Sequence, residues 1–146
     1  VIDYAHNGVS LHRLLTELRA YRPGRLIVLF GSVGERTRMR RQELGAVAGA
    51  LSDLAILTSD NPGREDPAAI IRDIAAGMEG LPAPHMEIPD RAEAIRTAVR
   101  LLRPNDILVL AGKGHERHQL IGTRKIPFCE RDILLSKAKE QSGMTR

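Results

Sequence analysis

The chain has 146 residues, 42% apolar and 27% charged, which suits one globular domain with a core of its own. Only 3% is aromatic and Trp is absent, so binding single-stranded nucleic acid by stacking bases has almost nothing to work with. A formal net charge of +4 favours an anionic ligand, but 18 acidic residues lie among the 22 basic ones and no nucleic-acid partner is expected.

In chain order, short apolar runs alternate with helical patterns. Val1–Tyr4 reads as a strand. In "VSLHRLLTELRAY" the residues Val9, Leu11, Leu14, Leu15 and Leu18 then make one helical face. Leu26–Phe30 is the second strand, followed by "GSVGERTRMRR" and by a helix with Leu44, Val47, Ala48 and Leu51 inward. The basic stretch Arg36–Arg41 is read in part as a solvated helix start. Leu54–Thr58 is the third strand, and "SDNPGRED" leads into a helix that starts at Pro67, a favoured first-turn position. His85–Ile88 is the fourth strand, "RAEAIRTAVRLL" a further helix, and Ile107–Ala111 the fifth strand. Beyond Gly112, "HQLIGTRKIPF" reads as a hairpin turning at Gly122-Thr123, and "ERDILLSKAKEQ" as a closing helix before a tail, "SGMTR", expected to fray.

Strand and helix alternate about every 25 residues, and the strands are continuous Val/Ile/Leu runs, the pattern of βαβ units in a parallel sheet covered on both faces. The fold class is therefore α/β, with a mostly parallel sheet of about six strands and a C-terminal hairpin. Cys129 is the single cysteine, so no intrachain disulfide forms and a cysteine metal site is not expected. No apolar run approaches the ~20 residues of a membrane span, and no signal peptide is recognisable, so a cytoplasmic setting without a membrane partner is expected. The opening "VIDYAHN" lacks an initiator Met and begins inside a strand pattern, as a domain of a longer polypeptide would.

In an open α/β sheet, ligands bind at the carboxyl ends of the strands. The residues there are Asp3, Tyr4, His6 and Asn7, then "GSVGERTRMRR", "SDNPGRED" and "GKGHERH". Gly31, Gly34, Gly112 and Gly114 are candidates for tight turns that present N–H groups to an anion, or for ordinary strand-to-helix turns. Asp60-Asn61-Pro62 is either part of a binding rim or the cap of the following helix. Lys113, His115 and Glu116 are either part of that rim or a solvated loop. His6, beside Asp3 and Tyr4, suggests a hydrogen-bonded core histidine, whereas His12 and His85 are expected at the surface and His118 on a strand face. No metal-ligand spacing, phosphate-loop pattern or Ser–His–Asp arrangement is present.

Together "DYAHN", "FGSVGERTRMRRQELG", "TSDNPGREDP", "DRAEAI" and "LAGKGHE" resemble the carboxyl-terminal domain of the Mur ligases, from Val1 to about Leu135, and most closely the tripeptide-forming member. The resemblance implies a Rossmann-like fold and a three-domain enzyme of peptidoglycan synthesis, with residues 1–146 as the C-terminal (glutamate ligase) domain. The UDP-binding N-terminal domain and the central ATPase domain lie outside this chain, so the isolated domain is expected to be inactive and to hold no catalytic residue. It implies ATP and Mg²⁺, held mainly by the central domain, a diamino acid acceptor, UDP-MurNAc-dipeptide bound through the other domains, and a monomer.

Carried over by motif, Asp3 matches the acid at the ATP ribose and His6 lies near the phosphates. Arg36 matches the arginine on a carboxylate of the incoming amino acid, and Asn61 the asparagine that contacts that amino acid. Gly112 and Glu116 match the groups that receive its distal ammonium, with Asp60, Lys113 and His115 as loop support. One departure is informative. Ligases that add meso-diaminopimelate typically read "DNPR", with the arginine on the second carboxylate, whereas here the position is Gly63 with Arg64 next. Loss of a charge-assisted pair costs ~1.5–3 kcal/mol. The departure turns the expectation towards L-lysine or ornithine and away from meso-diaminopimelate, unless Arg64 takes over the clamp.

Two other readings stay open at this point: a stand-alone small-anion-binding module without catalysis, and the matching domain of a cyanophycin-synthetase-like or folylpolyglutamate-synthase-like ligase. An NAD-dependent oxidoreductase is excluded by the absence of a glycine fingerprint in the first strand-to-helix turn.

Overall fold

The computed structural model describes residues 1–34, 37–113, 116, 118–121 and 124–144; of the side chains in the last two segments it describes Gln119 and those of 128–137. The elements in order are β1 (Ile2–Asp3), α1 (Gly8–Arg19), β2 (Leu26–Phe30), α2 (Arg38–Leu51), β3 (Leu54–Leu57) and α3 (Pro67–Gly77). Then come β4 (His85–Glu87), α4 (Arg91–Leu101), β5 (Ile107–Ala111), β6 (His118–Ile121), β7 (Arg124–Pro127) and α5 (Glu130–Met144).

Five strands form one parallel sheet in the order β1-β5-β2-β3-β4. The expected count of about six is corrected to five, because β6 and β7 pair antiparallel with each other as a separate two-stranded sheet. The closing helix runs to Met144, into the tail expected to fray. The expected turn at Gly122-Thr123 lies outside the described residues.

Every residue of β2 is buried, as its unbroken "LIVLF" requires of a strand covered on both faces. One face packs Val28, Phe30, Leu57 and Val109 against Leu11 and Leu15 of α1, Leu44 and Ala48 of α2, and Ile70, Ile71 and Ile74 of α3. The other packs Ile27, Leu29, Ile56 and Leu110 against Ala94, Ile95, Ala98 and Val99 of α4, with Ile133 and Leu134 of α5 beside them. The alternation along each strand assigns its side chains to the two cores in turn.

The helix starts are fixed by side-chain caps. Asn7 accepts from the Ser10 N–H at 2.9 Å, Thr37 from Arg40, Asp66 from Ala68 and Asp90 from Glu93. Because the five strands are parallel, the loops after β1, β2, β3 and β5 all leave from one edge of the sheet and form one rim.

Candidate acceptor-binding rim

The turn after β3 and the loop after β5 meet at that rim. The Asn61 side chain joins them: its Nδ2 donates to Glu116 Oε2 at 3.2 Å, and its Oδ1 accepts from Lys113 Nζ at 3.0 Å. Lys113 Nζ also lies 3.5 Å from Asp60 Oδ1 and 3.7 Å from Glu116 Oε2, and 5.8 Å from the centre of the Phe128 ring. The Lys113 side chain is 0% exposed, Asp60 3% and Glu116 23%. One ammonium thus faces two carboxylates, which leaves this described cluster with a surplus negative charge on its most open member, Glu116. The Tyr4 phenol registers that charge. Its pKa is raised above the usual tyrosine range, chiefly by the negative charge of Glu116, then by desolvation, a hydrogen bond to Glu116 and the charge of Asp60.

Backbone geometry makes the meeting possible. Gly112 has φ of +108°, a conformation that L side chains rarely adopt, and its N–H donates to the Asp3 carbonyl at 3.1 Å. Gly34 packs on the Pro62 carbonyl so closely that a Cβ would fall 2.0 Å from the oxygen, and its N–H donates to the Asn61 carbonyl at 2.8 Å. These contacts dock the β2 loop onto the β3 turn. Gln119 of β6 completes the fit, its Nε2 donating to the Asp60 carbonyl at 2.8 Å.

The two readings of Asp60-Asn61-Pro62 therefore separate. The cap of α3 is Asp66, and Asp60 is 2% exposed beneath the rim, so the cluster does not serve as a helix cap. Lys113 is buried, so it does not belong to a solvated loop. Gly63 has φ of +59° and open space where a Cβ would stand, and Arg64 beside it is exposed.

Next to this cluster, His6, Gly31, Ser32, Val33, Arg40 and Asp60 line a small cleft of about 60 Å³. The half-buried Arg40 guanidinium lines this cleft and gives it a cation suited to an anion such as a phosphoryl oxygen. Asp3, at the end of β1, accepts from the Ala5 N–H through its Oδ1 at 2.8 Å. No group of three or more His, Cys, Asp or Glu side chains that could hold a metal ion occurs among the described residues.

His6 is exposed, not a core histidine. Its Nδ1 sits 3.0 Å from the Tyr4 carbonyl and its ring meets the Tyr4 ring edge-on at 5.2 Å. The short β1 ends at Asp3, so residue 6 already stands clear of the sheet. Arg41 departs from the expected solvated helix start: it is 4% exposed and bonded to Glu65 and Asp73. Arg36, Gly114 and His115 lie outside the described residues.

The sequence reading passed over Arg40, Gln119 and Arg91, and gave Tyr4 no role beyond its place on the rim. Only Arg91 carried a signal: it stands in the "DRAEAI" segment, directly after a capping Asp.

The chain matches the family described as Mur ligase, glutamate ligase domain, over residues 1–114. It is 48% identical over 132 residues to the UDP-N-acetylmuramoyl-L-alanyl-D-glutamate–2,6-diaminopimelate ligase of Trichormus variabilis, covering 90% of this chain and 26% of that protein. It is 44% identical over 133 residues to the ligase of the same name from Caldanaerobacter subterraneus subsp. tengcongensis, covering 91% of this chain and 28% of that protein. A solved structure of a ligase bearing that name superposes with a TM-score of 0.90 at 36% identity, over 97% of this chain and 29% of the other. A murein peptide ligase from Psychrobacter arcticus shares the fold at a TM-score of 0.62 and 14% identity, over 93% of this chain and 27% of the other.

A parallel α/β domain whose polar rim lies at the strand ends, with this family match, defines the class: the chain belongs to the Mur ligase family, in its glutamate ligase domain. It spans between 26% and 29% of the length of the relatives described.

Proposed function

We propose that this chain is the acceptor-binding and ATP-closing domain of an ATP-dependent ligase that adds a diamino acid as the third residue to UDP-MurNAc-L-Ala-D-Glu in peptidoglycan synthesis. The observation that carries the reading is the Asn61 side chain bonded to both Lys113 and Glu116, which unites the "DNP" and "GKGHE" motifs in one cation-seeking cluster. A distal ammonium is the complement of Glu116 and of the carbonyls around Gly112. Arg36 is assigned the α-carboxylate, for which a guanidinium offers a two-pronged donor.

ATP supplies the activation, converting the D-glutamyl carboxylate into an acyl phosphate whose phosphate leaves when the acceptor amine attacks. His6 and Arg40 border the cleft suited to the nucleotide side, and Asp3, at the end of β1, is assigned the ribose. Mg²⁺ would be held by the ATPase portion outside this chain, the described residues of this domain offering no cluster for it. The domain's work is positioning: it holds the acceptor amine for in-line attack, the contribution that orientation makes to a two-substrate reaction. UDP-binding and ATPase portions outside this chain, a monomeric state and a cytoplasmic setting complete the proposal. No helix among the described residues is long and apolar enough to cross a membrane.

Among diamino acids, meso-diaminopimelate is favoured, because relatives at 48% and 44% identity carry its name. This reverses the expectation drawn from Gly63. Exposed Arg64, adjacent on the same turn, is the cation available for the second carboxylate. The test is acceptor-dependent ADP release by a ligase carrying this chain. Glu116→Gln is expected to lower kcat/KM for the diamino acid about 10- to 100-fold, the worth of one charged hydrogen bond, with little change in KM for ATP. An unchanged acceptor dependence would contradict the assignment.

A further inference from the structure

Arg91 is the first residue of α4 and its side chain is 0% exposed. Its Nε donates to Glu130 Oε2 at 2.8 Å, NH1 to the Ser59 carbonyl at 3.0 Å and NH2 to the Ala111 carbonyl at 3.0 Å. Ser59 directly precedes Asp60-Asn61, and Ala111 directly precedes Gly112-Lys113. β3 and β5 are not neighbours, since β2 runs between them. No ladder hydrogen bond can therefore set the spacing of their two loops, and the Arg91 guanidinium spans that gap. Ser59 Oγ, donating to the Pro89 carbonyl at 2.6 Å, ties the same turn to the segment leading into α4.

Resting on the acceptor-binding reading above, we propose that Arg91 is a positioning residue for acceptor recognition: its fork fixes the distance between the Asn61 turn and the Gly112-Lys113 turn. A planar guanidinium can hold three acceptors in fixed directions, which a lysine ammonium at the end of a flexible stem cannot. Glu130 has a different task. It supplies the countercharge that lets Arg91 be buried, and its buried Oε1 has no hydrogen-bond partner among the described residues. Charge balance and loop spacing therefore reside on different partners of one side chain and can be separated by substitution.

The experiment uses the ligand-free chain and a ligase carrying it. In the paired variant Arg91→Met with Glu130→Met, no charge is left buried, so the fold persists while the fork is gone. NMR is expected to show the loss of the contact between the Asn61 side-chain amide and Glu116. In the ligase, kcat/KM for the diamino acid should fall by up to about 100-fold, as displacement of a positioning group does, with KM for ATP unchanged. Glu130→Gln lowers the melting temperature but retains the two carbonyl bonds, so both the Asn61–Glu116 contact and the acceptor KM should persist. Arg91→Lys keeps the countercharge and loses the fork, and should behave like the paired variant if that one does not fold.

A paired or Lys variant that keeps the Asn61–Glu116 contact would overturn the proposal. So would a Glu130→Gln variant that loses the contact to the same degree, because Arg91 would then be only a stabilising residue. If the unsubstituted ligase uses no diamino acid, the acceptor reading fails, and the NMR comparison still decides the role of Arg91.

Discussion

Among the described residues two arginines are buried, and they hold different things. Arg41, in α2, donates NH1 to Asp73 at 2.9 Å and NH2 to both oxygens of Glu65 at 2.8 and 2.9 Å. Its partners are carboxylates of α3 and the loop before it, 21% and 33% exposed. Arg91 has one carboxylate, itself 1% exposed, and spends its remaining donors on backbone carbonyls at the ends of two strands. The first arginine fastens one helix to the next at a boundary that water still reaches. The second fastens the floor of the rim, where water does not. Burial of an arginine is thus no single signal: its partners decide whether it serves packing or the spacing of a site.

That comparison can be broken by substitution. The largest effect is expected at Arg91→Met, which strands Glu130 as an unpaired buried charge. A loss of about 3–5 kcal/mol is expected for breaking a buried pair, read from the midpoint of chemical denaturation. Arg41→Met comes next, at about 1.5–3 kcal/mol for charged hydrogen bonds whose carboxylate partners regain solvent. Burial opposes the Arg41 charge, but its hydrogen bonds to Glu65 and Asp73 outweigh it and raise its pKa, so Arg41 stays charged across the working range. If the two losses proved equal, the partners would not matter and the distinction would fall.

A smaller effect sharpens the contrast with ion pairs away from the rim. Asp106 accepts from Arg25 at 2.6 Å, and its pKa is lowered chiefly by that hydrogen bond, against desolvation and with help from the Arg103 and Arg25 backbone. A carboxylate with a lowered folded pKa stabilises fully above its unfolded value of about 3.9 and loses that contribution as the pH falls through the folded value. Asp106→Asn should therefore cost stability at pH 7 and flatten the loss of stability below about pH 4, as followed by thermal melts at a series of pH values. An unchanged acid limb would remove Asp106 from the account.

Much of the fold was legible in the sequence for a physical reason. Unbroken runs such as "LIVLF" and "ILVLA" suit only strands buried on both faces, and both run over the residues expected. The sixth strand was not legible, because alternation along "HQLIGTRKIPF" signals a hairpin without saying which edge it joins, and β6 and β7 pair only with each other. The meeting of "DNP" with "GKGHE" was anticipated by their positions after parallel strands, and the Asn61 bonds bear out that meeting. Arg41 and Arg91 were not anticipated as buried, since a buried arginine at a helix start has the same sequence appearance as a solvated one. Their partners lie at positions 65, 73 and 130, too far along the chain for local pattern to reveal. His6 erred in the opposite direction: a polar neighbourhood suggested the core, and the early end of β1 put the ring outside.

The most direct test of the acceptor pocket is an amide NMR titration of this chain with meso-diaminopimelate and with L-lysine at millimolar concentration, with glycine as control. Shifts concentrated at Asn61 and Gly112, larger for meso-diaminopimelate than for L-lysine and absent for glycine, are the predicted result. Silence of those amides towards both diamino acids, with shifts at Gly31 and Ser32 on adding phosphate or nucleotide, would contradict the account and leave a domain that binds only the anion.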